Sequence, residues 1–174
     1  MTEAAAMSGR FAGGVHVLPV RVYYEDTDAG GIVYHANYLR WAERARTEMM
    51  RLLGAEHSRM VATEGAMFAV RRCAIEFDRP ARLDDVLHVR SRILAVRGAS
   101  IDIEQIVQGA GLNEDGDMAG PGTGRGALVR ISLTLCCVNH AGRPVRLPAA
   151  VGAALGRLAG FDGEGDPEIR GEMG

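Results

Sequence analysis

From Tyr34 to Leu53 the apolar residues Tyr38, Trp41, Ala42, Ala45, Met49, Leu52 and Leu53 recur every three or four positions, with Arg40, Glu43, Arg44, Thr47 and Arg51 between them. This spacing predicts one amphipathic helix which, at about 1.5 Å of rise per residue, runs to about 30 Å. Gly54 is placed to end it in the left-handed conformation, and Arg44, Glu48 and Arg51 are spaced to pair within single turns. The apolar stripe of a lone long helix has to be buried against something else. The rest of the chain offers strands.

The first ordered element is expected at His16 to Tyr24, where Val20, Val22 and Tyr24 alternate. Pro19 cannot donate to a ladder, so either regular pairing begins at Val20 or the stretch before it lies on an edge. Four further runs read as strands: Met67 to Phe77, Val86 to Val96, Ser100 to Val107 and Ala127 to Val138. Alternation is plain at Ile101, Ile103, Gln105 and Val107, and at Val129, Ile131, Leu133, Leu135 and Cys137. The phase shifts near Arg71 and Arg72, which predicts a bulge. Breakers at Arg79-Pro80, Arg97-Gly98 and Asn139 to Gly142 separate the runs, and 109–126 reads as a long Gly- and Asp-containing loop. Residues 55–66 are a connection with room for a short helical turn, Val145 to Leu147 a last strand segment, and Ala149 to Leu158 a short helix. One strand, one long helix and then a run of antiparallel strands is an α+β pattern in which the helix lies against one face of a single sheet. The expected organisation is one domain over 15–158, with flexible tails at 1–14 and 159–174.

A chain of 174 residues with 47% apolar content can bury a sizeable core. A net charge of -2 and no Arg-rich tail give no reason to expect nucleic acid. All 20 cationic residues are arginine. Without lysine the chain cannot build a P-loop, a Schiff-base site or a pyridoxal site by itself. Cys73, Cys136 and Cys137 lack zinc-ligand or disulfide-framework spacing and read as reduced core or sheet residues. No signal leader or membrane span is expected, so the predicted location is cytoplasmic.

The chemistry is expected between Val22 and Trp41, which holds all four tyrosines and the only tryptophan. Here Asp26-Thr27-Asp28-Ala29-Gly30-Gly31 leads from the first strand into the long helix. A carboxylate loop opening onto a helix N-terminus places free N–H groups and a positive dipole end beside an acid, an arrangement suited to stabilising an oxyanion in acyl transfer. The alternative is that Asp26 and Asp28 only form turns or caps, which these residue types favour.

The run Tyr24-Glu25-Asp26-Thr27-Asp28-Ala29-Gly30-Gly31-Ile32-Val33-Tyr34-His35-Ala36-Asn37-Tyr38 closely resembles the signature of hot-dog-fold acyl-CoA thioesterases of the 4-hydroxybenzoyl-CoA thioesterase type, and of their Tol-Pal-associated bacterial branch. The likeness continues through Glu43 to Glu48 and, more weakly, at Phe77 to Leu87, where Pro80 to Asp85 looks like the family's hairpin between its second and third strands. It implies an antiparallel sheet of five or six strands wrapped around the long helix, in a homodimer or homotetramer with active sites at the subunit interface. It also implies that Asp28 is the catalytic carboxylate and Asp26 its support. Oxyanion donation is expected from the helix N-terminus around the His35 backbone, with Gly31, Tyr34 and Asn37 beside it, and the His35 side chain is a further catalytic candidate. Coenzyme A is expected to meet Arg97, Ser100, Arg143 and Arg146. The implied substrate is a short-chain or aromatic acyl-CoA, with an acyl-carrier protein as another possible donor, and neither cofactor nor metal is expected.

Three rivals compete with this reading. An aspartyl phosphatase would share the Asp-x-Asp loop, but it calls for a lysine and an alternating α/β pattern. A hot-dog dehydratase acting on 3-hydroxyacyl thioesters would use a histidine and an acid, which His35 permits. A non-catalytic acyl-carrier or envelope-complex binding module would keep the fold without turnover. A cation held by Asp26, Asp28 and His35 is set aside, because no further ligand cluster accompanies them.

Overall fold

In a computed structural model, described here for residues 7–55, 57–110 and 126–160, six strands form one antiparallel sheet. The strands are β1 (Arg10–Ala12), β2 (Val15–Arg21), β3 (Ala66–Phe77), β4 (Val86–Val96), β5 (Ser100–Gly109) and β6 (Ala127–Asn139), in the spatial order β1-β2-β4-β5-β6-β3. Three α-helices are found among the described residues: α1 (His35–Leu52), α2 (His57–Glu64) and α3 (Ala149–Ala159). The sheet wraps around α1, the hot-dog arrangement implied by the resemblance.

The predicted stripe is what α1 buries: Tyr38, Trp41, Ala42, Ala45 and Met49 are all inside the core with Leu87, Val89, Ile103 and Ile131 of the sheet. Gly54 ends the helix at φ +70°, and the Ala55 N–H reaches back to the Met50 carbonyl at 2.9 Å, so the last turn closes as the sequence predicts. Glu48 pairs with Arg51 but not with Arg44; its other oxygen accepts the Ser8 hydroxyl at 2.6 Å. The buried row of β5 carries Gln105 among its isoleucines. Gln105 accepts from Arg46 at 2.6 Å and donates to the Ala42 carbonyl at 3.0 Å and to Ser91 Oγ at 2.8 Å, so this polar group inside the core is fully bonded.

Two expectations change at the ends of the chain. Arg10–Ala12 is a strand, paired with β2 in the register Arg10↔Val17, within the segment expected to be a loose tail. It stops short of Pro19, which pairs with His88 on its other side, so the missing proline N–H faces the uncovered edge. Val145 to Leu147 is no strand of its own; the Val145 N–H bonds the Cys137 carbonyl and the Leu147 N–H bonds Gly98, which straps this segment across the sheet end. The phase shift at Arg71-Arg72 is a register shift in the β3–β6 ladder, as predicted. Residues 1–6, most of the 109–126 loop and the tail from 161 lie outside the described residues.

His16 on β2 is fully buried; its Nε2 donates to the Ser8 carbonyl at 2.8 Å, and Nδ1 has no partner among the described residues. Burial pushes its pKa below the ordinary imidazole value, and it does the same at His88, helped by Arg10 and Arg90. Both rings therefore bind a proton more weakly folded than unfolded, where the pKa is about 6.5. Their contribution to stability is complete above that value and is lost as pH falls through the depressed folded values. The melting temperature should be level above about pH 7 and drop as the pH goes below about 6.5. A His16→Gln, His88→Gln variant should flatten that drop, and a melting temperature that rises on acidification over this range contradicts the assignment.

Candidate active site

The loop between β2 and α1 is built from its own short-range bonds. Tyr24–Asp26 forms one 3₁₀ turn, closed by the Tyr23 N–H donating to Asp26 Oδ2 at 2.9 Å. Thr27 bridges Val33 across a small hairpin, and at its tip the Asp28 N–H donates to the Ile32 carbonyl while Asp28 Oδ1 accepts the Gly30 N–H at 2.8 Å. Gly31 sits at φ +71°, where a side chain would strain the turn. Asp28 is exposed, and its second carboxylate oxygen has no partner among the described residues. The Asp26 backbone ties the loop to the helix: its carbonyl accepts both the Tyr34 N–H at 2.9 Å and Asn37 Nδ2 at 3.0 Å.

These bonds sort the residues predicted around the oxyanion. The Gly31 N–H goes to the Asp28 carbonyl, the Tyr34 N–H to Asp26 and the Asn37 N–H to Tyr34, so all three build the loop. The N-cap Tyr34 makes no side-chain cap, and the N–H groups of His35 and Ala36 have no acceptor among the described residues. The helix therefore begins with two open donors next to the Asp28 hairpin.

The His35 ring packs on Tyr34, with centroids 4.5 Å apart, and edge-on to Phe77 at 6.3 Å. His35, Tyr38, Val33, Phe77 and Pro80 line a cleft of about 260 Å³ beside the start of the helix. The hairpin that follows Phe77 fixes its wall. Ala81 donates its N–H to the Tyr38 hydroxyl and accepts the Val33 N–H, both at 2.9 Å. The sequence placed Phe77 at a strand end and at the start of the weaker resemblance, and gave it no role in the site.

The four candidate nucleotide contacts lie elsewhere. Arg97 and Ser100 flank the β4–β5 turn and share a polar cleft of about 300 Å³ with Arg71, Arg72, Asp102 and Thr134. Arg97 pairs with Asp102 at 2.5 Å, and Asp102 also accepts Thr134 Oγ1 at 2.9 Å; the two bonds hold its carboxyl below the usual aspartate value. Arg143 and Arg146 are exposed on the strap next to this turn and do not line the cleft. Arg71 and Arg72 are the additions that sequence reading missed. At a regular pleat adjacent side chains take opposite faces, and the bulge lets both line one cleft. The Asp28 loop adjoins the Val86 end of β4 and the arginine cleft the Val96 end, about 33 Å apart along the strand.

The loop thus sets an exposed carboxylate beside a helix start with open donors, on a sheet that wraps that helix. The thioesterase-like superfamily profile matches residues 22–155, and the chain belongs to that family, so it is a thioester hydrolase. Among individual proteins, it is 49% identical over 92 residues to the acyl-CoA thioester hydrolase YbgC of Escherichia coli O6:H1, an alignment covering 53% of this chain and 68% of that protein. It is also 49% identical over 87 residues to the acyl-CoA thioesterase YbgC of Haemophilus influenzae, covering 50% of this chain and 64% of that one. Of solved structures, a probable thioesterase from Bartonella henselae superposes with a TM-score of 0.65 at 34% identity, covering 77% of this chain and 99% of that one. A 4-hydroxybenzoyl-CoA thioesterase bound to 4-hydroxybenzoyl-CoA shares the fold at a TM-score of 0.69 and 21% identity, covering 81% of this chain and 98% of that one.

Proposed function

We propose that this chain hydrolyses acyl-CoA thioesters at the β2–α1 loop, with Asp28 as the catalytic carboxylate. The observation that carries the reading is the pair of open N–H groups at His35 and Ala36 beside an Asp28 carboxylate with one uncommitted oxygen. The thioester carbonyl oxygen lies against those donors, which stabilise the oxyanion as the carbonyl carbon becomes tetrahedral. Asp28 takes a proton from water as the water attacks, or its own oxygen attacks the carbonyl to give an anhydride that water then opens. In either route the C–S bond breaks and the thiolate leaves; with a thiol pKa of about 8.5 it needs little acid assistance. His35 contributes its backbone N–H, and its ring helps to wall the cleft with Phe77.

The arginine cleft enters through a second copy of the chain. β3 is a sheet edge of 12 residues with Val70 and Phe77 half exposed, and a bare edge of this length favours pairing. Antiparallel pairing of two β3 edges brings the Phe77 end of one protomer beside the Ala66 end of its partner, and with it one Asp28 loop beside the other copy's arginine cleft. In this reading Arg97, Ser100, Arg71 and Arg72 receive the coenzyme A phosphates, with Arg143 and Arg146 at the margin. The guanidinium fork suits phosphate.

Free-thiol release from a panel of acyl-CoA thioesters tests the assignment, with enoyl formation followed in parallel to detect a dehydratase. No thiol release from any member would sink it. The Arg97→Ala variant should raise KM for an acyl-CoA about three- to tenfold while leaving the KM of a truncated pantetheine thioester unchanged, the scale of one exposed charge-assisted contact. Equal effects on the two substrates would remove Arg97 from the nucleotide site.

A further inference from the structure

A second cavity, of about 170 Å³, lies between α1, α2 and the first half of β3. Its walls grade from open to closed. Glu43 and Val70 are more than half exposed at the mouth, whereas Met49, Met60 and Leu155 form a floor under 5% exposed. Arg46 also borders it, but its guanidinium is held by Gln105 and Glu43, so what it offers the cavity is its alkyl stem. A cavity of about 150 Å³ with an apolar lining takes up small hydrocarbons readily. Methionine adds a flexible, polarisable wall that adapts to a flexible guest.

The cavity is in line with the site. His35, Tyr38, Ala42, Arg46 and Met49 follow one another at three- and four-residue steps and so share one face of α1. The first two line the cleft at the start of the helix and the last two line this cavity, with Ala42 between them along that face of the helix. From Tyr38 to Arg46 is two turns of helix, about 12 Å. An aromatic ring joined directly to the thioester carbonyl ends in the first cleft, while an extended octanoyl or decanoyl chain covers the span.

We propose that the methionine-floored cavity holds the far end of a linear, medium-length aliphatic acyl chain, so that the substrate class is medium-chain acyl thioesters rather than acetyl or aryl ones. This rests on the thioester lying at the first turn of α1. Val61, half-buried on α2 and in the cavity wall, and Met60 in its floor set the length accepted.

The test is kcat/KM by thiol release for acetyl-, butyryl-, octanoyl-, decanoyl-, lauroyl- and benzoyl-CoA, with folding of each variant checked by circular dichroism melts. The wild-type chain should prefer octanoyl and decanoyl. Val61→Phe should lower the ratio of octanoyl to acetyl kcat/KM by roughly 10- to 100-fold, the discrimination an apolar pocket makes when its depth changes. Met60→Ala, which enlarges the floor, should move the optimum toward lauroyl. A wild-type preference for benzoyl or acetyl, or a chain-length profile unmoved in both folded variants, overturns the proposal and leaves the Asp28 site standing. Hydrolysis of none of the thioesters brings down the site reading itself.

Discussion

Replacing Asp28 with asparagine should lower kcat by about 10²- to 10⁴-fold, the range for losing a general base or carboxylate nucleophile. The substitution is chosen to isolate chemistry from structure. Asparagine keeps an oxygen where Oδ1 accepts the Gly30 N–H at 2.8 Å, so the turn that presents the residue survives. What changes is the second oxygen, which becomes an amide nitrogen unable to take a proton or attack. KM and the melting temperature should stay close to wild type, because the loop is anchored through Asp26 rather than Asp28. Turnover within a few-fold of wild type would falsify the catalytic assignment. Asp26→Ala should behave in the opposite way, with a smaller loss of kcat and a lower melting temperature, since it leaves the Tyr23 N–H without its acceptor.

Gln105→Leu should be the most destabilising single change among the residues considered, by about 2 to 5 kcal/mol. Leucine fills similar space but leaves the buried Arg46 guanidinium with only Glu43, and strips the Ala42 carbonyl and Ser91 of a partner. For a chain of this size that is a fall of roughly 5 to 15 °C in melting temperature. The double variant Arg46→Met, Gln105→Leu replaces the polar group by an apolar one on both sides and should recover a large part of the loss. Urea melts of the four proteins in the cycle give the coupling directly. A Gln105→Leu protein as stable as wild type would mean that this network adds nothing to the core.

The network shows where reading the chain stopped. Gln105 was visible as the one polar residue in the inward row Ile101, Ile103, Gln105, Val107, and Arg46 follows a helix stripe one position away from Ala45. Neither signal says that the two side chains meet, because they are 59 residues apart and come together only when α1 is laid across β5. The same holds for the arginine cleft. Arg71 and Arg72 belong to β3 and Arg97 to the β4–β5 turn, and they share a surface through the bulge and the rows of β5 and β6 between them.

The sequence by itself determined α1, the strand runs that became β3 to β6, the bulge in β3 and the turn chemistry of the loop between β2 and α1. Each depends on residues only a few positions apart, and helix and strand periods are local properties of the chain. The loop's hydrogen bonds put Asp26 on the Tyr23 N–H and Asn37 Nδ2, and Asp28 on the Gly30 N–H. The tertiary structure alone decided which donors are open. The resemblance put donation around the His35 backbone with Gly31, Tyr34 and Asn37 beside it; hydrogen bonds to Asp28, Asp26 and Tyr34 engage the N–H groups of those three, while those of His35 and Ala36 have no acceptor among the described residues. The tertiary structure also decided that Arg10–Ala12 forms a strand, that the arginine cleft and the Asp28 loop stand at opposite ends of β4, and that a second cavity is lined from the same face of α1 as the cleft. Those facts are set by strand register and by the way helix and sheet close on each other, which joins residues dozens of positions apart and is fixed only by packing the whole core.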